Sequence, residues 1–128
     1  MTKIQVTGLP CSGKTTAIKS YIHRNKHITY LDVRHFQGPD KFNYYRKQIL
    51  KSSTNLIAES ASGIAIPGTY VIRLEIDKNE LYKRSIIRDG YLDESYLSLI
   101  EQEMIKPQYT AKSIEGLHAI FDTLFTRS

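Results

Sequence analysis

The chain has 128 residues, of which 41% are hydrophobic and 24% charged, and its formal net charge is +5. That length and composition fit one domain over residues 1–128 with material for one core, and no apolar run approaches the roughly 18 residues of a membrane span. A single cysteine, Cys11, excludes an internal disulfide framework and fits a reducing compartment.

The opening residues enter a strand almost at once, with no charged-then-apolar leader, so a cytoplasmic location is expected. The basic balance suits either nucleotide phosphates or nucleic acid as a partner.

The segments alternate along the chain. KIQVT (Lys3–Thr7) reads as a buried strand. Lys14–Arg24 reads as a helix, with Ala17, Ile18, Tyr21 and Ile22 on one side. HITYL (His27–Leu31) is a second strand ending at Asp32. Asp40–Lys51 follows Gly38-Pro39 as a second helix, with Phe42, Tyr45 and Ile49 on one face. NLIAE (Asn55–Glu59) is a third strand, and SASGIAIPG (Ser60–Gly68) is rich in turn residues. TYVIRLEI (Thr69–Ile76) is a fourth strand. Asp77 is placed to cap a helix that reaches about Arg88, where Asp89-Gly90 breaks it. Asp93 opens another helix to about Ile105, stopped by Pro107. LHAIF (Leu117–Phe121) is expected as a short last strand, followed by Asp122-Thr123. Strands alternating with helices argue for an α/β fold, a parallel sheet with helices on both faces. Ligands then bind along the edge where the strands end.

The most specific stretch is GLPCSGKTT, Gly8 to Thr16, which fits G-x-x-x-x-G-K-[ST] between a strand and a helix. Gly8 and Gly13 let the backbone fold around a phosphate with no β-carbon in the way. Successive N–H groups, including those of Cys11 and Ser12, form an anion nest. The helix that follows, with Thr16 in its first turn, adds the positive end of its dipole. Lys14 brings a full charge to the β- and γ-phosphates, and the Thr15 hydroxyl is placed for magnesium. Cys11 reads either as a redox or catalytic thiol or as a small tolerated loop residue.

The other strand ends say whether the phosphate is held or moved. Phosphoryl transfer needs cations around the moving group and a carboxylate for metal or nucleophile. Arg84 and Arg88, four apart on one helix, share a face and are candidates for a lid over the phosphates. Asp32 and Glu59 end the second and third strands. Either can hold magnesium through water or accept a proton from an attacking hydroxyl, and Asp32 also reads as a helix N-cap. Arg34 and Arg46 are candidates for an acceptor's phosphate, and Tyr44 for stacking on a base, as is His35. Switch GTPases carry D-x-x-G and N-K-x-D runs that are missing here. A small kinase or a stripped-down ATPase remains.

These residues resemble the P-loop kinase superfamily, in the branch holding nucleoside monophosphate kinases and small hydroxyl kinases. The resemblance rests on GLPCSGKTT and on YVIRLEIDKNELYKRSIIRDGY (Tyr70–Tyr91). The second is similar to the strand-lid region of adenylate-kinase-like proteins, an L-Y-x-R-x-x-x-R-x-Y run. Leu81, Tyr82, Arg84, Arg88, Gly90 and Tyr91 match it with one extra residue, Asp89. Asp32-Val-Arg34 is also similar to the corresponding run of polynucleotide and other hydroxyl kinases, in which the aspartate activates the hydroxyl.

The resemblance implies a three-layer P-loop NTPase fold with a five-stranded parallel sheet in the order 2-3-1-4-5. It implies ATP as donor, Mg2+ at Thr15 and a carboxylate, and the adenine near Asp122 and Thr123 after the last strand. One departure is visible: about nine residues separate the third strand from the fourth, so the usual helix there is missing or reduced to a turn. The expected function is phosphoryl transfer from ATP to a nucleotide or nucleoside, first of all a nucleoside monophosphate. The alternatives are a hydroxyl acceptor, including a nucleic-acid 5′ end with Asp32 as base, and a nucleotide-dependent binding module or slow ATPase.

Overall fold

The structure is a computed structural model, and it describes residues 1–8, 12–60, 63–77, 79–80, 83, 86 and 106–126. Five parallel strands form one sheet: β1 (Lys3–Thr7), β2 (Thr29–Asp32), β3 (Leu56–Glu59), β4 (Thr69–Leu74) and β5 (Tyr109–Ala111). Their order is β2-β3-β1-β4-β5. This is the expected order, with β1 at the centre between β3 and β4.

Every other side chain on a strand faces the same way, so each central strand supplies both faces. Ile4 and Val6 of β1, Ile57 of β3, and Ile72 and Leu74 of β4 line one face. Helix α1 (Lys14–Arg24) covers it with Ala17, Ile18 and Tyr21, beside a C-terminal helix α3 (Ile114–Thr126) carrying Leu117, Phe121 and Leu124. The Tyr21 hydroxyl donates to Asp122 at 2.7 Å and joins the two helices. Leu56 and Ala58 line the opposite face under Tyr45 and Ile49 of helix α2 (Lys41–Lys51). Burial on both faces is why the strands read as nearly continuous apolar runs.

The chain passes from β3 to β4 in the nine residues from 60 to 68, fewer than a parallel crossover usually takes. No helix forms among the described residues of this connection. Ile66, buried, and Ile64, partly buried, cover the sheet in its place. Gln5, fully buried on the central strand, pins the connection from below. Its Nε2 donates to the Ile64 carbonyl at 2.7 Å, and its Oε1 accepts the Ile64 N–H at 3.0 Å. The side-chain amide thus pairs with the crossing backbone as a strand would.

Three expectations are corrected. LHAIF is not a strand but part of α3, and the fifth strand is Tyr109–Ala111. The buried residues 117, 121 and 124 recur at helical spacing, which a five-residue window conceals, and Ser113 caps the helix by accepting the Gly116 N–H at 3.0 Å. As a result Asp122 and Thr123 lie within α3, not in a loop after the last strand. Phe42 does not share the buried face of Tyr45 and Ile49; it is 45% exposed. The helix expected from Asp77 does begin there: the Asp77 carboxylate accepts the Asn79 N–H at 2.9 Å, and Asn79, Glu80, Lys83 and Ile86 are helical. Arg84, Arg88 and the helix expected from Asp93 lie outside the described residues.

Candidate functional site

The site forms where β1, β2 and β3 end, on the α1 side of the sheet. β1 runs out at Gly8, whose backbone lies tight against the end of β4. A β-carbon there would stand 2.8 Å from the Leu74 carbonyl oxygen and 3.2 Å from Ser12 Oγ. Nothing but glycine fits without moving backbone. Gly13 then turns the chain into α1 with φ 91° and ψ 14°, in the left-handed region that favours glycine. Its carbonyl accepts the Ala17 N–H at 2.9 Å, the first bond of the helix. Lys14 is buried, and its Nζ donates back to the Gly8 carbonyl at 2.9 Å, closing a ring from helix start to loop start. Thr16 is exposed in the first turn, and Cys11 lies outside the described residues. The arrangement presents the N-terminus of an 11-residue helix and an ammonium at one place, which is what an anion such as a polyphosphate requires.

Thr15 faces the sheet. Its hydroxyl donates to Glu59 Oε1 at 2.5 Å. The other Glu59 oxygen, Oε2, accepts from the Tyr30 hydroxyl at 2.5 Å. Glu59 and Asp32 are register partners at the ends of β3 and β2. They point to the same face, with 4% and 3% of their surfaces exposed. Like charges so placed repel strongly in a buried setting, and two groups offset this. The Tyr30 hydroxyl lies between the carboxylates, 3.1 Å from Asp32 Oδ2. Arg34 grips Asp32 with Nε at 2.9 and 3.1 Å from the two oxygens and a terminal nitrogen 2.6 Å from Oδ2.

The same Arg34 nitrogen reaches Thr15 Oγ1 at 3.1 Å and stands 3.9 Å from Glu59 Oε1. Asp32 also accepts the Arg34 backbone N–H at 2.8 Å, capping the 3₁₀ turn Val33–His35. The cap reading of this carboxylate therefore holds.

The electrostatics follow from these contacts. Burial would raise the Asp32 carboxyl, but the Arg34 side-chain and backbone bonds outweigh it and hold the group below its ordinary value. The bond to Asp32 raises Arg34 in turn. Burial, then the bond to Glu59, pushes the Tyr30 phenol well above its ordinary range, so it remains a proton donor.

Magnesium takes hard oxygen ligands and is bound through one or two carboxylates together with substrate phosphates. The adjacent Thr15 hydroxyl and Glu59 carboxylate fit that need, beside a loop whose glycine a β-carbon would block. Among the described residues there is no cluster of three or more His, Cys, Asp or Glu that could hold a metal, and the small Thr–Glu site does not require one.

The structure brings Gly8, Ser12, Gly13, Lys14 and Thr15 to the same edge as Asp32, Arg34 and Glu59. Tyr44 and Arg46 are exposed on α2. The His35 ring meets Tyr30 edge-on at 5.8 Å. Asp122 is engaged by Tyr21, and the Thr123 hydroxyl bonds its own helix at Ala119. Sequence reasoning missed Tyr30 and Gln5. A period-two count from Asp32 puts Tyr30 on the same face, a signal that was present. No helix of the described residues is long and apolar enough to cross a membrane.

No family model and no curated protein matches the sequence. Solved structures match the fold. A gluconokinase from Sinorhizobium meliloti 1021 aligns at TM-score 0.66 and 15% identity, over 99% of this chain and 97% of that one. A shikimate kinase from Bacteroides thetaiotaomicron aligns at TM-score 0.68 and 16% identity, over 98% of each. A sugar kinase from Janibacter sp. HTCC2649 aligns at TM-score 0.68 and 13% identity, over 98% and 95%. The chain shares the fold of these kinases. At such identities the likeness carries the fold alone, and it does not select a nucleoside monophosphate kinase.

Proposed function

We propose that this protein is an ATP-dependent kinase that phosphorylates a hydroxyl of a small polar molecule. The observation that supports it best is the placing of Asp32. This buried carboxylate ends the strand next to that of Glu59, with β3 between its own strand and the one that leads into the glycine loop. In this reading the loop and Lys14 hold the phosphates of ATP, and Thr15 and Glu59 hold its magnesium, which neutralises charge on the β- and γ-phosphates. Asp32 orients the acceptor hydroxyl. The acceptor oxygen forms the new P–O bond, the bond from the γ-phosphorus to the bridging oxygen breaks, and ADP departs. The proton passes to Asp32 and then to water. Arg34 keeps Asp32 anionic until then. The loose transition state of phosphoryl transfer asks little of a base before the bond forms, so a carboxylate with a low pKa suits the task. Arg84 and Arg88 are assigned to the moving phosphoryl group. The gluconokinase, shikimate kinase and sugar kinase of like fold support a small-molecule acceptor.

A nucleoside monophosphate is the second reading, and Arg34 favours it. Its side chain is 69% exposed beside the site, open to an acceptor's phosphate. Asp32→Asn separates the two. Transfer to a hydroxyl should fall by roughly 100-fold or more, the range of a lost general base. Transfer to a monophosphate should change far less, because a phosphate oxygen needs no deprotonation.

A further inference from the structure

We propose that Tyr30 is a positioning residue that fixes Glu59 for the metal of bound ATP, a role that rests on the kinase reading above. Glu59 has two oxygens and must present one of them, Oε1, toward Thr15. The Tyr30 hydroxyl takes the other, Oε2, at 2.5 Å. With both oxygens engaged, the carboxylate cannot rotate, and Oε1 stays 2.5 Å from the Thr15 hydroxyl.

The phenol has one proton to give. The 2.5 Å contact with Glu59 is far shorter than the 3.1 Å contact with Asp32, so the proton points to Glu59. Asp32 is satisfied from elsewhere, by the Arg34 guanidinium and backbone N–H. Two adjacent acids thereby receive different tasks. Glu59 is held by two hydroxyls, one on each oxygen. Asp32 has its charge balanced by Arg34 and faces the acceptor. Removing the phenol oxygen takes away the donor that holds Oε2 and leaves the Glu59 carboxylate free to turn beside the Arg34 nitrogen, 3.9 Å from Oε1. Outer partners of this kind alter metal affinity by roughly 10- to 100-fold.

The ring is only partly buried and packs beside Lys19, whose ammonium lies 5.9 Å from its centre, and His35. Tyr30→Phe therefore keeps the packing and removes one oxygen. The test is Mn2+ binding to the full chain in the presence of a non-hydrolysable ATP analogue, followed by the electron paramagnetic resonance of free Mn2+. Wild type, Y30F, E59Q and the Y30F/E59Q double variant are compared, with K19A as a control for packing around the ring. The expected result is Mn2+ affinity about 10-fold weaker in Y30F, unchanged in K19A, and no weaker in the double variant than in E59Q. Affinity for the analogue in EDTA should be the same for wild type and Y30F. An unchanged Mn2+ affinity in Y30F, or full additivity with E59Q, would overturn the role of Tyr30 while leaving the kinase reading intact. Wild type that binds the analogue with no response to Mn2+ would overturn the metal site and this assignment with it.

Discussion

The Thr15 hydroxyl, in the first turn of α1, donates to Glu59, the last residue of β3, across 2.5 Å. One residue belongs to the glycine-loop motif, and the other comes 44 positions later. The parallel register of β1 and β3, with Val6 opposite Glu59, brings them together. The pair places a hydroxyl and a carboxylate beside the glycine loop, where the proposed function puts the metal of ATP. Replacing Glu59 with Gln keeps the shape and removes the charge. Magnesium-dependent nucleotide affinity should then fall by about 10-fold or more, while binding of nucleotide without metal holds. Calorimetric titrations with and without Mg2+ check this, and equal losses in both would contradict it.

Gly8 is required by contact as well as by backbone freedom. The nearest atom to an added β-carbon is a backbone oxygen, Leu74 O at 2.8 Å, which cannot rotate away. Gly8→Ala should cost about 1–3 kcal/mol, the range for overpacking, and should abolish nucleotide binding because the loop must shift. Urea unfolding and nucleotide titration are the measurements. An alanine variant with wild-type stability would show that β4 yields easily there.

Asp32 links stability to pH with a definite sign. Its folded carboxyl lies below the ordinary value of 3.8, so its contribution is complete above that value and disappears as the pH falls through the lower folded one. Asp32→Asn should therefore lower stability at pH 7 by about 1–2 kcal/mol, allowing for the water around exposed Arg34. The gap to wild type should narrow as the pH falls below that ordinary value. Denaturant curves at several pH values test this, and a gap that does not narrow on acidification would remove the ion pair as its cause.

Gln5 replaces a missing helix with two hydrogen bonds. Gln5→Leu keeps the bulk but strands the Ile64 N–H and carbonyl above the sheet. The expected cost is about 2–6 kcal/mol, the sum for two backbone groups left unmet, with faster amide exchange at Ile64. Exchange at Ile64 as slow as in wild type would show that Ile64 and Ile66 hold the connection by packing alone.

The sheet order was legible through the resemblance that the glycine motif carries, and the turn from β1 through that motif into α1 because a strand, a glycine motif and a helix with period 3.6 occur in succession. The short link from β3 to β4 was legible as a count of residues. What held it was not, since Gln5 has no local signal and acts on a segment 59 residues away. The last strand was misread because LHAIF is apolar enough for either element, and only the wider spacing of Leu117, Phe121 and Leu124 distinguishes them. That error displaced Asp122 and Thr123 from a loop to a helix. Asp32 and Glu59 were each visible as strand ends. Their pairing depends on the register of β2 with β3, and Tyr30's place between them depends on that pairing.

The central claim is phosphoryl transfer, and product analysis tests it most directly. Wild type and Lys14→Ala would be incubated with ATP and Mg2+ against sugars, sugar acids, nucleosides, nucleoside monophosphates and 5′-hydroxyl oligonucleotides, with products identified by mass. The account predicts that one class of small hydroxyl compound gains a phosphoryl group and that the gain is lost in Lys14→Ala. Tight ATP binding by wild type with no acceptor phosphorylated would contradict it and point to a nucleotide-gated binding protein or a slow ATPase.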